Sequence, residues 1–212
     1  RLRTLNIFTM RVTKMPIGGK TDICFFDKTG TLTEDQILLE GMGGLCAEKI
    51  LNFQNLPIES IISLIGCTSV FNYKNRVIGD PIDTALIRVF KCTVSDDYIQ
   101  TTFPLSLTVK ACVKFSFESS LRRMSCVVVA QNSKFERGYE YFCVVKGAPE
   151  TLKEMFKKIP DNYDELFNSY SAQGFRVIAT GYKQLDSNTQ QIQNIKREQV
   201  ERDLNLLCPH PP

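Results

Sequence analysis

Seven consecutive residues, Asp27-Lys28-Thr29-Gly30-Thr31-Leu32-Thr33, place a carboxylate, a cation and three hydroxyls directly after the apolar run Ile23-Cys24-Phe25-Phe26. That run predicts a buried strand of the parallel type, with Asp27 at its carboxyl end. In open α/β sheets ligands and chemistry collect at that end, and a carboxylate so placed can act as a covalent nucleophile. Lys28 offers positive charge to phosphate oxygens, Thr29 and Thr31 offer hydroxyl donors, and Gly30 lets the backbone come close. An ordinary strand end running into a polar turn would account for a lone aspartate or a lone glycine. It does not readily account for the ordered set.

Four later segments carry binding chemistry. Gly79-Asp80-Pro81-Ile82-Asp83-Thr84-Ala85-Leu86 sets two carboxylates three residues apart where a turn meets a helix; taken alone, a helix N-cap with favourable dipole charge is the better explanation. Lys114 to Ser125 ends a strand in aromatics, Phe115 and Phe117, and then in Arg122 and Arg123. An aromatic face can stack a purine, and an arginine fork suits phosphate; Phe115 and Phe117 share one strand face, so one or both can equally be core. Val144-Val145-Lys146-Gly147-Ala148-Pro149-Glu150 puts a lysine at a strand end, ahead of a helix start. Gly174-Phe175-Arg176-Val177-Ile178-Ala179 sets Arg176 between apolar neighbours, where an unpaired charge is costly and a phosphate or carboxylate partner is expected.

The elements that must position these residues follow from periodicity and punctuation. Residues 1–22 read as basic and loop-like, with a turn at Met15 to Gly19, and Ile37 to Met42 as an apolar segment leading into an insertion. Helices are predicted from Ile58 through Cys67, from Asp83 to Lys91, from Pro149 through Lys157, from Asp161 to Gln173 with Gly174 as the stop, and from Ser187 to Leu204. Strands are predicted at Leu107 to Phe117, Met124 to Ala130, Tyr139 to Lys146 and Phe175 to Lys183. Short connections make most of these strands antiparallel. The fold class expected is α+β, an antiparallel sheet flanked by helices, with Ile23 to Phe26 as an incomplete strand of a second domain.

Composition narrows the function classes. A net charge of +3, spread over dispersed lysines and arginines, gives no basic face for nucleic acid. The lone histidine, His210, leaves no histidine-based catalysis or Cys/His zinc site. Eight cysteines are scattered without a Cys-x-x-Cys pair, and Cys24, Cys126 and Cys143 lie in strand-like runs, which suits reduced, buried thiols. No stretch approaches the ~20 apolar residues of a membrane-spanning helix, and no signal peptide is visible.

Asp27 to Thr33 resembles the phosphorylation motif of P-type ATPases, membrane pumps that pass the γ-phosphate of ATP onto such an aspartate. The resemblance implies Asp27 as the phosphorylated nucleophile, with Lys28 and Thr31 beside the transferred group. It also implies Asp27 and the carbonyl of Thr29 as Mg²⁺ ligands, with further ligands outside this chain. The four later segments resemble the nucleotide-binding domain that the family inserts after this strand. That likeness puts Asp83 near the adenine amino group, Phe117 against the adenine ring, Lys146 and Gly147 along the adenosine, and Arg122 and Arg176 among the basic contacts. Ser119 stands where the family's ion pumps often carry another arginine.

The resemblance covers about residues 5–207 and implies three parts. Residues 1–36 would be a partial phosphorylation domain of haloacid-dehalogenase type, 37–205 the nucleotide-binding domain, and 206–212 a tail at the return to the phosphorylation domain or non-native residues. Leu5 to Thr9, Lys14-Met15-Pro16, Gly79-Asp80-Pro81, Phe117 to Ser125 and Gly181 to Leu185 are similar to the type-V branch. With Lys196 to Glu201, they favour the endoplasmic-reticulum subgroup A, thought to extract misinserted transmembrane helices, over the polyamine- or cation-exporting subgroup B. The parent implied is an integral membrane protein that hydrolyses ATP with Mg²⁺, its remaining phosphorylation, actuator and membrane domains being the partners and this domain facing the cytosol. No Gly-Asp-Gly-x-Asn-Asp motif follows Lys183, so the fragment is expected to bind ATP without turning it over. Two other classes compete: a stand-alone haloacid-dehalogenase-like phosphatase, disfavoured by Thr29 where a second aspartate is usual, and a non-catalytic nucleotide-binding module.

Overall fold

The computed structural model describes residues 2–28, 30–34, 37–43, 50–185, 192 and 194–207. The chain divides into two compact units, residues 1–36 and residues 37–212. In the first, short helical turns form at Arg3–Leu5, Val12–Lys14 and α1 (Met15–Gly18). Pro16 occupies the first turn of α1, where its missing N–H is not needed.

The strand expected at Ile23 to Phe26 is absent. Phe25 is 94% exposed, and Ile23, Cys24 and Phe26 are exposed as well, so Cys24 is not a buried thiol. An extended segment becomes a strand only when neighbours take up its N–H and C=O groups. Among the described residues of this unit there is no second strand to do so.

The second unit begins with a short hairpin of β1 (Met42–Gly43) and β2 (Ile50–Leu51), after which α2 runs over Ile58–Gly66. A second hairpin pairs β3 (Val70–Tyr73) with β4 (Arg76–Gly79), and α3 follows over Pro81–Val89. Next come β5 (Thr93–Val94), β6 (Ile99–Thr101), β7 (Leu107–Glu118), β8 (Arg123–Gln131) and β9 (Tyr139–Gly147). After α4 (Pro149–Lys153) and α5 (Tyr163–Ala172) come β10 (Ala179–Leu185), α6 (Arg197–Val200) and β11 (Asn205–Leu206). The main sheet has seven strands in the order β11-β10-β9-β8-β7-β6-β5, every neighbour antiparallel. The α+β class and the antiparallel sheet are as expected. No described helix is long and apolar enough to cross a membrane.

Both faces of the central strands are covered, which is why β8 and β9 read as continuous apolar runs. Successive side chains alternate between faces. Cys126, Val128, Phe142 and Val144 join the core with Ile61, Ile62 and Ile65 of α2 and Leu86 of α3. Val127, Cys143 and Val145 join the other core, with Leu152, Tyr163, Val200 and Leu204. α2 lies close on the sheet: a Cβ on Gly66 would stand 3.2 Å from Val109 Cγ1 and 3.3 Å from Val128 Cγ1. Cys126 and Cys143 are the buried, free thiols expected.

Three expected elements are shorter, each for a physical reason. The helix expected through Lys157 ends at Lys153 because the chain turns to pair with a distant segment. Leu204 N–H donates to the Met155 carbonyl at 2.9 Å and Lys157 N–H to the Leu204 carbonyl at 2.8 Å. The strand expected from Phe175 begins at Ala179, opposite Gly147, where β9 gives way to α4 and no partner remains. Of the helix expected over 187–204, residues 187–191 and 193 lie outside the described residues; Ile192 is helical, the helix is broken over 194–196, and a short helix forms at Arg197–Val200. There the Glu201 side chain turns inward and the chain swings into β11. The β3–β4 hairpin was not foreseen: its turn, Lys74-Asn75, has φ of +48° and +62°, the backbone of a type I′ turn without the Asn-Gly signal.

Candidate functional site

The described residues between Asp27 and Thr33 form a local turn in the first unit. Leu32 N–H donates to the Lys28 carbonyl at 3.0 Å. The Thr33 hydroxyl donates to the same carbonyl at 3.3 Å, and Gly30, at a φ of +74°, donates its N–H to Thr33 Oγ1 at 3.3 Å. Asp27, Lys28 and Thr31 are exposed. Thr29 lies outside the described residues.

In the second unit the expected residues gather at one end of the main sheet. Phe117 is at the carboxyl end of β7, Arg122 in the turn before β8, Lys146 and Gly147 at the carboxyl end of β9, and Arg176 just ahead of β10. Asp83, from the first turn of α3, reaches the same end through an ion pair with Lys146. α3 can begin there because Asp80 accepts the Ile82 N–H at 2.9 Å and Pro81 starts the first turn. Asp83 is 1% exposed and its charge is met from two sides. One carboxylate oxygen accepts from Lys146 Nζ and the other from the Ser69 N–H at 2.7 Å. A buried carboxylate is tolerated only when paired and hydrogen-bonded in this way.

The two aromatics part company. A bulge between Phe115 and Glu118 interrupts the β7–β8 register, so the two-residue period that would give them one face fails. Phe115 packs partly buried against the second core, whereas Phe117 is 60% exposed and offers a ring face to solvent. Arg122, at a φ of +50°, accepts the Ala148 N–H on its carbonyl at 3.1 Å. Its guanidinium stands 3.7 Å from Glu150. The close approach that Gly147 permits is to the protein's own chain. A Cβ there would come within 2.7 Å of the Arg122 carbonyl oxygen, Arg123 Cβ and Leu152 Cδ1.

Arg176 departs from the reasoning that singled it out. It lies before β10 and is exposed rather than buried between apolar neighbours, so no burial cost demands a partner. It does line, with Lys146, a cavity of about 310 Å³ whose other walls include Leu64, Leu86, Phe167 and Phe175. Two cations in the wall of an apolar and aromatic hollow suit a ligand with a flat ring and an anionic tail; Phe117, Arg122 and Asp83 are not among the residues that line it.

Sequence reasoning passed over two groups. Lys114 donates from Nζ to the Thr68 carbonyl at 2.8 Å; a lysine between Val113 and Phe115 in a strand was the available signal. Further along, Glu201 accepts from Arg123 Nε at 2.6 Å, Ser125 Oγ at 2.7 Å and Arg197 Nε at 2.7 Å. Burial pushes the Glu201 carboxyl up, but these three hydrogen bonds outweigh it and hold the group below the usual carboxylate range. The Arg197 contact is a local i, i+4 pair, but no local pattern announces Arg123 and Ser125, more than seventy residues away.

Known proteins share this sequence pattern. Residues 62–208 match the family model described as P-type ATPase, cytoplasmic domain N. The chain is 34% identical over 206 residues to the probable manganese-transporting ATPase PDR2 of Arabidopsis thaliana, covering 94% of this chain and 17% of that protein. It is 33% identical over 204 residues to the endoplasmic reticulum transmembrane helix translocase of Saccharomyces cerevisiae, covering 91% and 16%. It is 28% identical over 238 residues to the human polyamine-transporting ATPase 13A2, covering 98% and 20%. The chain thus spans less than a fifth of the length of the first two of these relatives.

Proposed function

The chain belongs to the P-type ATPases, through their cytoplasmic domain N, and we propose that its second unit is the ATP-binding module of a pump phosphorylated on Asp27. The observation that carries this reading is the gathering of Asp83, Phe117, Arg122, Lys146 and Arg176 at one end of the sheet. Phe117 offers an exposed ring for the adenine, a contact of about 1–3 kcal/mol where bases stack on aromatics. Lys146 supplies donors for the adenosine, and Asp83, buried with both carboxylate oxygens already accepting, holds that lysine in place. Arg122 and Arg176 supply charge and fork geometry for phosphate.

Phosphoryl transfer to Asp27 needs the γ-phosphate held in line and its charge neutralised. Lys28 and Thr31 are the basic and hydroxyl groups beside the nucleophile in this reading. The described residues do not build a Mg²⁺ site by themselves: no group of three or more His, Cys, Asp or Glu gathers among them. The metal's place rests on the family resemblance, with Asp27 and Thr29 as two of its ligands.

Among the family's branches we favour the endoplasmic-reticulum translocases of transmembrane helices, with this unit on the cytosolic side. The type-V segments quoted above and the translocase-named relatives in two yeasts and a mould support it. Polyamine or cation transport is the second reading, supported by relatives with those names. ATP titrated into the chain, followed by calorimetry, tests the binding claim. Affinity of roughly −4 to −6 kcal/mol, millimolar to high micromolar, is expected. Absence of binding at millimolar ATP would refute it.

A further inference from the structure

One peptide unit joins two lysines at the site. The carbonyl of Thr68 accepts from Lys114 Nζ at 2.8 Å, and the N–H of the same peptide, on Ser69, donates to Asp83 Oδ2 at 2.7 Å. The other Asp83 oxygen accepts from Lys146 Nζ. Lys114 and Lys146 project from the same sheet face, Lys114 opposite Cys126 and Lys146 opposite Met124, both of which belong to the first core. The peptide itself is anchored at the end of α2, where the Thr68 hydroxyl donates to the Ile65 carbonyl at 3.0 Å.

Hydrogen bonds in series polarise one another. A cation on the Thr68 carbonyl makes the Ser69 N–H a stronger donor, which fixes one Asp83 oxygen and leaves the other for Lys146. Lys146 then spends one of its three N–H donors on Asp83. Among the described residues it has no other hydrogen-bond partner, so two donors remain for a ligand in the cavity it lines. Without the Lys114 charge, Asp83 leans harder on Lys146 and draws it from that position.

We infer that Lys114 is a positioning residue for nucleotide binding, acting through the Thr68–Ser69 peptide and Asp83 on Lys146. The inference rests on the nucleotide reading given above. The competing role is an anchor for the carboxyl end of α2, where a cation is favourable whatever binds nearby.

A double-mutant cycle on the chain separates the two, with magnesium-free ATP as the probe and binding followed by NMR titration. Lys114→Met is expected to weaken ATP by about tenfold, the lower end for an outer partner that orients a binding group, and Lys114→Arg to restore it. In an Asp83→Asn background, Lys114→Met should add no further loss, because its effect passes through Asp83. Lys114→Gln, which keeps a neutral donor, stands in if the methionine variant fails to fold and should bind between the wild type and Asp83→Asn. A lower melting temperature with unchanged affinity, or losses that add in the double mutant, would overturn the inference and leave Lys114 a helix anchor. If Lys146→Ala also leaves ATP binding intact, the nucleotide reading itself is wrong.

Discussion

Two buried carboxylates serve the ends of the same sheet strands in opposite ways. Glu201 is saturated: two arginines and a serine close on it, and it ties the returning segment around α6 to β8. Asp83 is also buried, but its cationic partner Lys146 lines a cavity with donors to spare. One cluster has no vacancy for a ligand and reads as a fastening. The other holds a lysine that lines a cavity together with Arg176, at the sheet end that also carries Phe117 and Arg122. Burial and pairing alone do not mark a binding site; an unfilled donor facing a hollow does.

The largest effect that could break this contrast is on stability. Glu201→Ala leaves two arginines facing a buried gap and should destabilise the fold by about 3–5 kcal/mol in urea unfolding, with ATP affinity unchanged. The carboxyl is held below its ordinary range, so its contribution is present above the unfolded value of about 4.3 and is lost as pH falls through the lower folded value. Unfolding followed from pH 6 down to about 2 should show that acid loss in the wild type and a smaller one in Glu201→Gln. A variant that lost ATP binding while keeping its stability would reverse the roles of the two clusters.

Phe117→Ala sharpens the other side. It should lower ATP affinity by about 1–3 kcal/mol with little change in melting, because the ring is already exposed. A stability loss of about 3–5 kcal/mol would instead make Phe117 a core residue. Lys146→Ala should weaken ATP, ADP and AMP by similar factors, about tenfold each, on the scale of one hydrogen bond to a charged group. A loss confined to ATP would move the lysine to the γ-phosphate. The smallest effect belongs to Arg122→Ala. Its ion pair with Glu150 is exposed on both sides, so melting should shift by less than about 1 kcal/mol.

How much of this was legible in the sequence differs by region. The β8 and β9 runs, Cys126 to Val129 and Phe142 to Val145, were legible as strands with buried thiols because apolar continuity is local; that both faces are covered is seen only in the packing. α2 was legible from Ile61, Ile62 and Ile65 for the same reason. The segment Ile23 to Phe26 reads equally well as a strand, yet its pairing depends on neighbours that the described residues of its own unit do not supply. Phe115 and Phe117 were read as sharing a face, since period two is the default. The bulge that parts them depends on register with β8, which no single strand encodes. Arg176 was chosen on a burial argument that its exposure removes, and it keeps interest only through the cavity it shares with Lys146. Lys114 and Glu201 escaped notice because their partners, Thr68 and the pair Arg123 and Ser125, are 46 to 78 residues away.

The contrast between the two clusters is tested most directly by mapping backbone amide shifts as ATP is added to the isotopically labelled chain. The account predicts that Ser69, Asp83, Phe117, Arg122, Lys146 and Gly147 move together along one binding curve while Ser125, Arg197 and Glu201 stay still. Shifts centred on Glu201 and its arginines, or scattered with no focus at the Lys146 end of the sheet, would contradict it.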